Sequence, residues 1–200
     1  MGRPYGKNME NQSKLYHRRS IRLKGYDYSL PGAYFVTIVT QGRSPILGKI
    51  IAGETYLTTI GKIIEECWIE IPLHFRFVSL DAHVIMPNHL HGIVNIIENH
   101  NKRTKNELPN NTKTEKSSQS GLQHNSLGAI IGSFKSSVTR KIRQRQISYP
   151  YPIWQRNYYE HIIRNEEDYE RIVEYIQTNP LNWEFDEEFI AVRPFNQNDL

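Results

Sequence analysis

The chain has one cysteine, Cys67. A lone thiol can form no internal disulfide, so cross-links do not hold this fold and a reducing compartment is expected. Cys67 falls in an apolar helical stripe and reads as a core filler. No apolar run approaches the roughly 20 residues that a membrane-spanning helix needs. Met1 to Lys14 are polar and lack the apolar centre of a signal peptide. The expectation is a soluble, cytoplasmic protein. No Walker-type glycine loop is present, so chemistry driven by a nucleoside triphosphate is not indicated. Large apolar side chains also nearly vanish between Asn99 and Ser120. Such a stretch cannot bury enough surface to offset its ordering entropy, and residues 98–125 read as a flexible polar loop.

What remains is enough for one domain. The 200 residues are 38% hydrophobic, which supports a real core. The formal charge is only +4, but it is unevenly spread. Residues 1–30 hold seven Lys/Arg against Glu10 and Asp27, a net of +5, whereas residues 165–200 hold Arg171 and Arg193 against ten acids, a net of −8. A basic front points to a polyanion such as nucleic acid.

Periodicity orders the elements. Ala33 to Thr40 is a strand, rich in β-branched and aromatic residues and entered through Pro31-Gly32. Lys49-Ile50-Ile51 and Thr55-Tyr56-Leu57 flank a short turn and read as a hairpin. Ile60, Ile63, Ile64, Cys67, Trp68 and Ile71 keep the spacing of one buried helical stripe, which Pro72 ends. Phe77 to Met86 and His89 to Ile97 read as strands joined tightly at Pro87-Asn88. A second helical stripe is Leu127, Ile130, Ile131, Phe134, Val138 and Ile142, decorated by Lys135, Arg140, Lys141, Arg143 and Arg145 without a single acid. A strand near Tyr158–Arg164 leads to a last helix, N-capped by Asn165 and acidic in its first turn. Strand, helix, strand, strand, helix, strand, helix is an α+β, ferredoxin-like βαββαβ order with an added C-terminal helix.

One strand carries chemistry. In Met86-Pro87-Asn88-His89-Leu90-His91-Gly92, His89 and His91 project from the same face, because successive strand side chains alternate. Two adjacent imidazoles can share a divalent metal. A His-x-His triplet arises by chance in about one such chain in three, so the pair needs support from elsewhere. The last helix offers some. Tyr169, Ile172, Val173 and Ile176 make its apolar stripe, while Tyr175 and Asn179, four apart, share a face on the flank of that stripe. Tyr169 reads as core. His83, His161, Tyr158 and Tyr159 read as structural strand residues.

These blocks carry a resemblance. Met86 to Gly92, then Ser133-Phe134-Lys135-Ser136, then Trp154 to Arg164, then Tyr175-Ile176-Gln177-Thr178-Asn179-Pro180 resemble the REP-associated tyrosine transposases. These belong to the single-tyrosine, insertion-sequence 200-like HUH transposase superfamily. The likeness spans about Arg18 to Trp183 and includes Arg22 to Tyr28. It implies a catalytic domain over 18–183, with a basic tail at 1–17, an acidic tail at 184–200, and a polar insertion at 98–125 where such proteins vary in length. It also implies roles. His89 and His91 hold a divalent metal, Mg²⁺ or Mn²⁺, and Asn179 completes the site where several insertion-sequence relatives carry the longer Gln. Tyr175 is the nucleophile. The substrate is single-stranded or hairpin DNA, and the protein acts as a monomer or a homodimer. The product is a 5′-phosphotyrosine and a free 3′-OH.

That chemistry is coherent on its own terms. A metal on a phosphate oxygen neutralises developing charge and orients the scissile bond. Mn²⁺ accepts imidazole more readily than Mg²⁺ does. Phosphates would meet Arg18, Arg19, Arg22 and Lys24 in front and Lys135, Arg140, Lys141, Arg143 and Arg145 on the basic helix, and unstacked bases would meet Tyr and Trp. Two other readings fit parts of the pattern: a nonenzymatic single-strand nucleic-acid-binding module, and a metal-dependent nuclease that hydrolyses with water. The chain lacks an RNA-recognition signature, which weighs against the first.

Overall fold

The computed structural model describes residues 23, 25–97, 125–149 and 152–183. The two tails, almost all of the polar insertion, and Arg18, Arg19, Arg22 and Lys24 lie outside the described residues. Strand β1 is Gly32–Val39, and a hairpin follows from β2, Gly48–Ile51, and β3, Glu54–Leu57. Ala52 and Gly53 turn the hairpin with φ of 51° and 77°, the paired positive values that suit strand twist in a two-residue loop. Helix α1 is Thr59–Ile69, and its N-cap Thr58 accepts a bond from the Gly61 amide. Pro72 does not simply end this helix. It sits in the first turn of a short second helix, α2, Ile71–His74, where its missing N–H costs nothing. Strands β4, Val78–Ile85, and β5, His89–Ile96, follow, then α3, Leu127–Gln144, β6, Tyr159–Ile163, and α4, Glu166–Thr178.

The main sheet runs β4-β5-β1-β6 with every neighbouring pair antiparallel. This is the split βαβ arrangement, with β5 inserted between the parallel strands β1 and β4. Alternation sorts the side chains onto two faces. Tyr34, Val36, Ile38, Leu90 and Val94 point toward α1 and α3 and join the larger core with Trp68, Ile130 and Phe134. Phe35 and Ile93 point the other way and meet Ile172 and Ile176 of α4. In β4, Leu80 belongs to the first face, yet Ala82 and Val84 belong to the second. A bulge between Leu80 and His83 makes this possible, because one extra residue exchanges the facing of everything beyond it. Gly92 lies under the Trp68 indole, where a Cβ would come within 2.4 Å of the ring. No helix among the described residues is long and apolar enough to cross a membrane.

Candidate active site

His89 and His91 are odd-numbered on β5 and therefore face α4, not the main core. Their rings stand 4.4 Å apart between centroids, and both residues are buried. Each has its Nδ1 engaged. The Asn88 side-chain oxygen lies 2.8 Å from Nδ1 of His89. An amide oxygen only accepts, so Nδ1 of His89 carries the proton and the Nε2 lone pair is left for a ligand. Thr37, opposite His91 in the ladder, places its Oγ1 2.8 Å from Nδ1 of His91. Burial, and then the neighbouring His89, push the His91 imidazole well below its usual range, so it is neutral at pH 7, the form that binds metal.

Helix α4 delivers the tyrosine. The Tyr175 hydroxyl lies 3.2 Å from Nε2 of His91, and its ring packs edge-on at 5.1 Å between centroids. Phe35 stacks on His91 at 5.4 Å and meets Tyr175 edge-to-face at 6.1 Å, forming an aromatic floor. Tyr175 remains 44% exposed, so an incoming substrate can reach its oxygen. Asn179 is the C-cap of α4 and is buried, side-chain oxygen included. Four residues on, Trp183 packs its ring 5.9 Å from that of His89. Asn179 thus lies between one residue that touches His91 and another that touches His89. Sequence reasoning passed over Thr37, Phe35 and Trp183, and took Asn88 only as a turn residue. Their roles depend on cross-strand register and on the path after α4, for which no local pattern exists.

The donor set suits a divalent ion: two buried imidazoles and a buried amide oxygen. His89, His91 and Asn179 would hold it. Among the described residues no cluster of three or more His, Cys, Asp and Glu could do so, which leaves this mixed set as the candidate. Other tyrosines stand elsewhere. The Tyr169 hydroxyl donates to the Asp81 carboxylate, and that bond pushes its pKa up to about 12. It is half-buried at the edge of the α4 interface, not in the centre of the stripe. Tyr158 packs against the main core, whereas Tyr159 is exposed, with its ring 6.3 Å from Phe35. His161 bonds Asp168 at 2.7 Å, tying β6 to the start of α4, and His83 packs near Trp68.

No family model matches the chain. A Haemophilus influenzae protein of uncharacterised function is 43% identical over 176 residues, covering 88% of this chain and 95% of the relative. A second protein of that organism, provisionally named a REP-associated tyrosine transposase, is 24% identical over 163 residues, or 78% of this chain and 73% of the relative. A solved REP-associated tyrosine transposase bound to a REP hairpin shares the fold, with a TM-score of 0.53 at 20% identity, over 83% of this chain and 76% of that one. The chain shares the fold of that REP-associated tyrosine transposase.

The basic helix of this chain has two sides. Lys141 pairs with Glu70 at 2.8 Å, and Arg145 pairs with Glu66 at 2.9 Å. The helix carries no acid of its own, as its sequence shows, but α1 supplies acids across the interface. Lys135 is part-buried, and its Nζ donates to the carbonyls of Gln155, at 2.9 Å, and Asn157, at 3.1 Å. Burial lowers its pKa to about 8. Arg140 and Arg143 turn instead toward a groove of about 600 Å³ between α3 and residues 152–156.

Proposed function

We propose that the protein is a transposase that cleaves and rejoins single-stranded DNA through a covalent bond between Tyr175 and a 5′-phosphate, with a divalent metal at His89, His91 and Asn179. The observation that carries the proposal is the 3.2 Å contact between the Tyr175 hydroxyl and Nε2 of His91, made by an exposed helical tyrosine against a buried histidine pair. A hydrolytic nuclease has no use for a tyrosine held there. When bound, Mg²⁺ or Mn²⁺ would polarise a phosphate oxygen and offset the charge that develops during attack.

The chain's own groups do the rest. Tyr175 Oη attacks phosphorus and gives its phenolic proton to water, and water returns a proton to the departing 3′ oxygen. The bond to the 3′ oxygen breaks, leaving a free 3′-OH and an ester between Tyr175 and the 5′-phosphate. Attack by a 3′-OH reverses the step, and because the ester retains the energy of the broken linkage, rejoining needs no nucleoside triphosphate. Phe35 and Trp183 limit the imidazoles' movement, and Asn88 and Thr37 orient them. Hairpin-forming repeats are the proposed substrate, like the REP hairpin held by the solved relative.

The test is incubation of the full chain with a single-stranded hairpin oligonucleotide and Mn²⁺, followed by denaturing electrophoresis and peptide mapping. A denaturation-resistant adduct on Tyr175 supports the mechanism. Cleavage with no adduct under single-turnover conditions would replace it with hydrolysis.

A further inference from the structure

We propose that the groove between α3 and residues 152–156 seats the phosphodiester backbone of a single DNA strand a few nucleotides from the scissile bond, through Arg140, Arg143 and Arg156. The proposal rests on the transposase mechanism above for its substrate, and on separate observations for its place. The groove is lined by four cationic residues, Lys135, Arg140, Arg143 and Arg156, and by no acid. Its remaining polar lining is neutral and includes Ser136, whose hydroxyl can donate to a phosphate oxygen. The opposite side of the same helix is different, since Lys141 and Arg145 spend their charge on Glu70 and Glu66 of α1. On one side α3 contributes cations to a groove whose lining holds no acid, and on the other its cations pair with acids of α1.

The groove has a fixed wall. Lys135 binds the carbonyls of Gln155 and Asn157, and the Trp154 ring packs 5.8 Å from that of Phe134 in the core. Lys135 is thus a wall-building residue, and the three arginines are the groups that reach a ligand. A rigid wall lowers the ordering cost of binding.

Backbone pairing sets the distance to the histidines. Gln155 donates to Val39 at 3.0 Å, and Val39 is paired with His89. Two strand spacings separate the groove wall from the metal-binding strand, about 10 Å. A single strand, which can extend beyond the 3.4 Å duplex rise, would span that distance in about two to three nucleotides. The groove opens on the α3 side of the sheet and the histidines face α4, so the strand would pass the sheet end near Thr40 and Asn88, which are hydrogen-bonded to each other.

The test measures binding of a labelled hairpin with a single-stranded flank, by fluorescence anisotropy across a salt series. The full-length protein is compared with Arg140→Gln/Arg143→Gln/Arg156→Gln and with Lys141→Gln/Arg145→Gln. The groove variant is expected to lose at least tenfold in affinity, and its slope of log affinity against log salt to fall by about 2, at about 0.7 per lost contact. The α1-facing variant should stay within about twofold of wild type. Arg156→Gln alone, at an exposed position outside any helix, should lose part of the affinity without disturbing α3. Unchanged affinity and slope in the groove variant, or an equal loss in the α1-facing variant, would overturn the proposal. The two ideas fail separately. Groove-dependent binding by a wild type that forms no adduct would defeat the phosphotyrosine mechanism and keep the groove. Adduct formation with groove-independent binding would do the reverse.

Discussion

A histidine becomes a useful metal ligand when its second nitrogen is held. Asn88 and Thr37 do this for His89 and His91, each at 2.8 Å. Thr37→Val keeps the side-chain shape but removes the hydroxyl from Nδ1 of His91. We expect Mn²⁺ affinity, read by calorimetry or by electron paramagnetic resonance, to fall about tenfold with the fold retained. An unchanged affinity would mean that Thr37 is only a strand residue. Tyr175 makes the companion prediction. Tyr175→Phe removes one oxygen and almost no volume, and the residue is 44% exposed, so the thermal midpoint should barely move. DNA and Mn²⁺ should still bind, and the adduct should vanish. Tyr169→Phe should keep the adduct, because the Tyr169 hydroxyl is committed to Asp81. Loss of the adduct in both variants, or in neither, would remove Tyr175 from its role.

At the scale of elements, two contacts hold the site in shape. Gly92 lets Trp68 of α1 lie against β5 directly behind the histidines, where a Cβ would come within 2.4 Å of the ring. Gly92→Ala is expected to cost about 1–3 kcal/mol in denaturant unfolding, since both the indole and the strand are fully enclosed. A loss below a few tenths would show that the indole shifts freely. The second contact docks α4. The hydrogen bond from His161, and then Arg171, holds the Asp168 carboxyl below its usual 3.8. A depressed carboxylate stabilises the fold above its unfolded pKa and loses that effect as pH falls through the folded value. Wild type should therefore exceed Asp168→Asn in stability near pH 7, and the gap should begin to narrow as pH falls below about 4. A gap that does not narrow as pH falls below the carboxylate range would assign the effect to something other than the charge. Element types were legible from periodicity alone, and so was the Asn165 cap, whose side chain accepts from the Asp168 amide at 2.8 Å. The bulge after Leu80 was not, because nothing local distinguishes a strand that changes facing from one that does not.

For the whole molecule, the proposed chemistry has a polarity. A 5′-phosphotyrosine leaves the protein on the fragment downstream of the cut. DNA labelled at its 3′ end should migrate with the protein in a denaturing gel, and DNA labelled at its 5′ end should be released as a shorter free strand. The opposite pattern would require a 3′-linked intermediate and a different path for the strand across the sheet. Charge at this scale also departs from its linear reading. Five basic residues near one helix look like a single cationic face, yet packing against α1 neutralises two and leaves others toward the groove.

By itself the sequence determined the α+β order, the shared face of His89 and His91, and the spacing of Tyr175 and Asn179. These follow from periods of 2 and 3.6, which each segment carries within itself. It also bore the motif blocks that carry the resemblance to the REP-associated tyrosine transposases. Tertiary structure decided what those residues meet. The register of β1 on β5 puts Thr37 against His91, the turn after α4 puts Trp183 against His89, and α1 pairs Lys141 and Arg145 with acids. Each of these is a contact between segments far apart in the chain. Its energy depends on both partners at once, so neither segment read alone contains it.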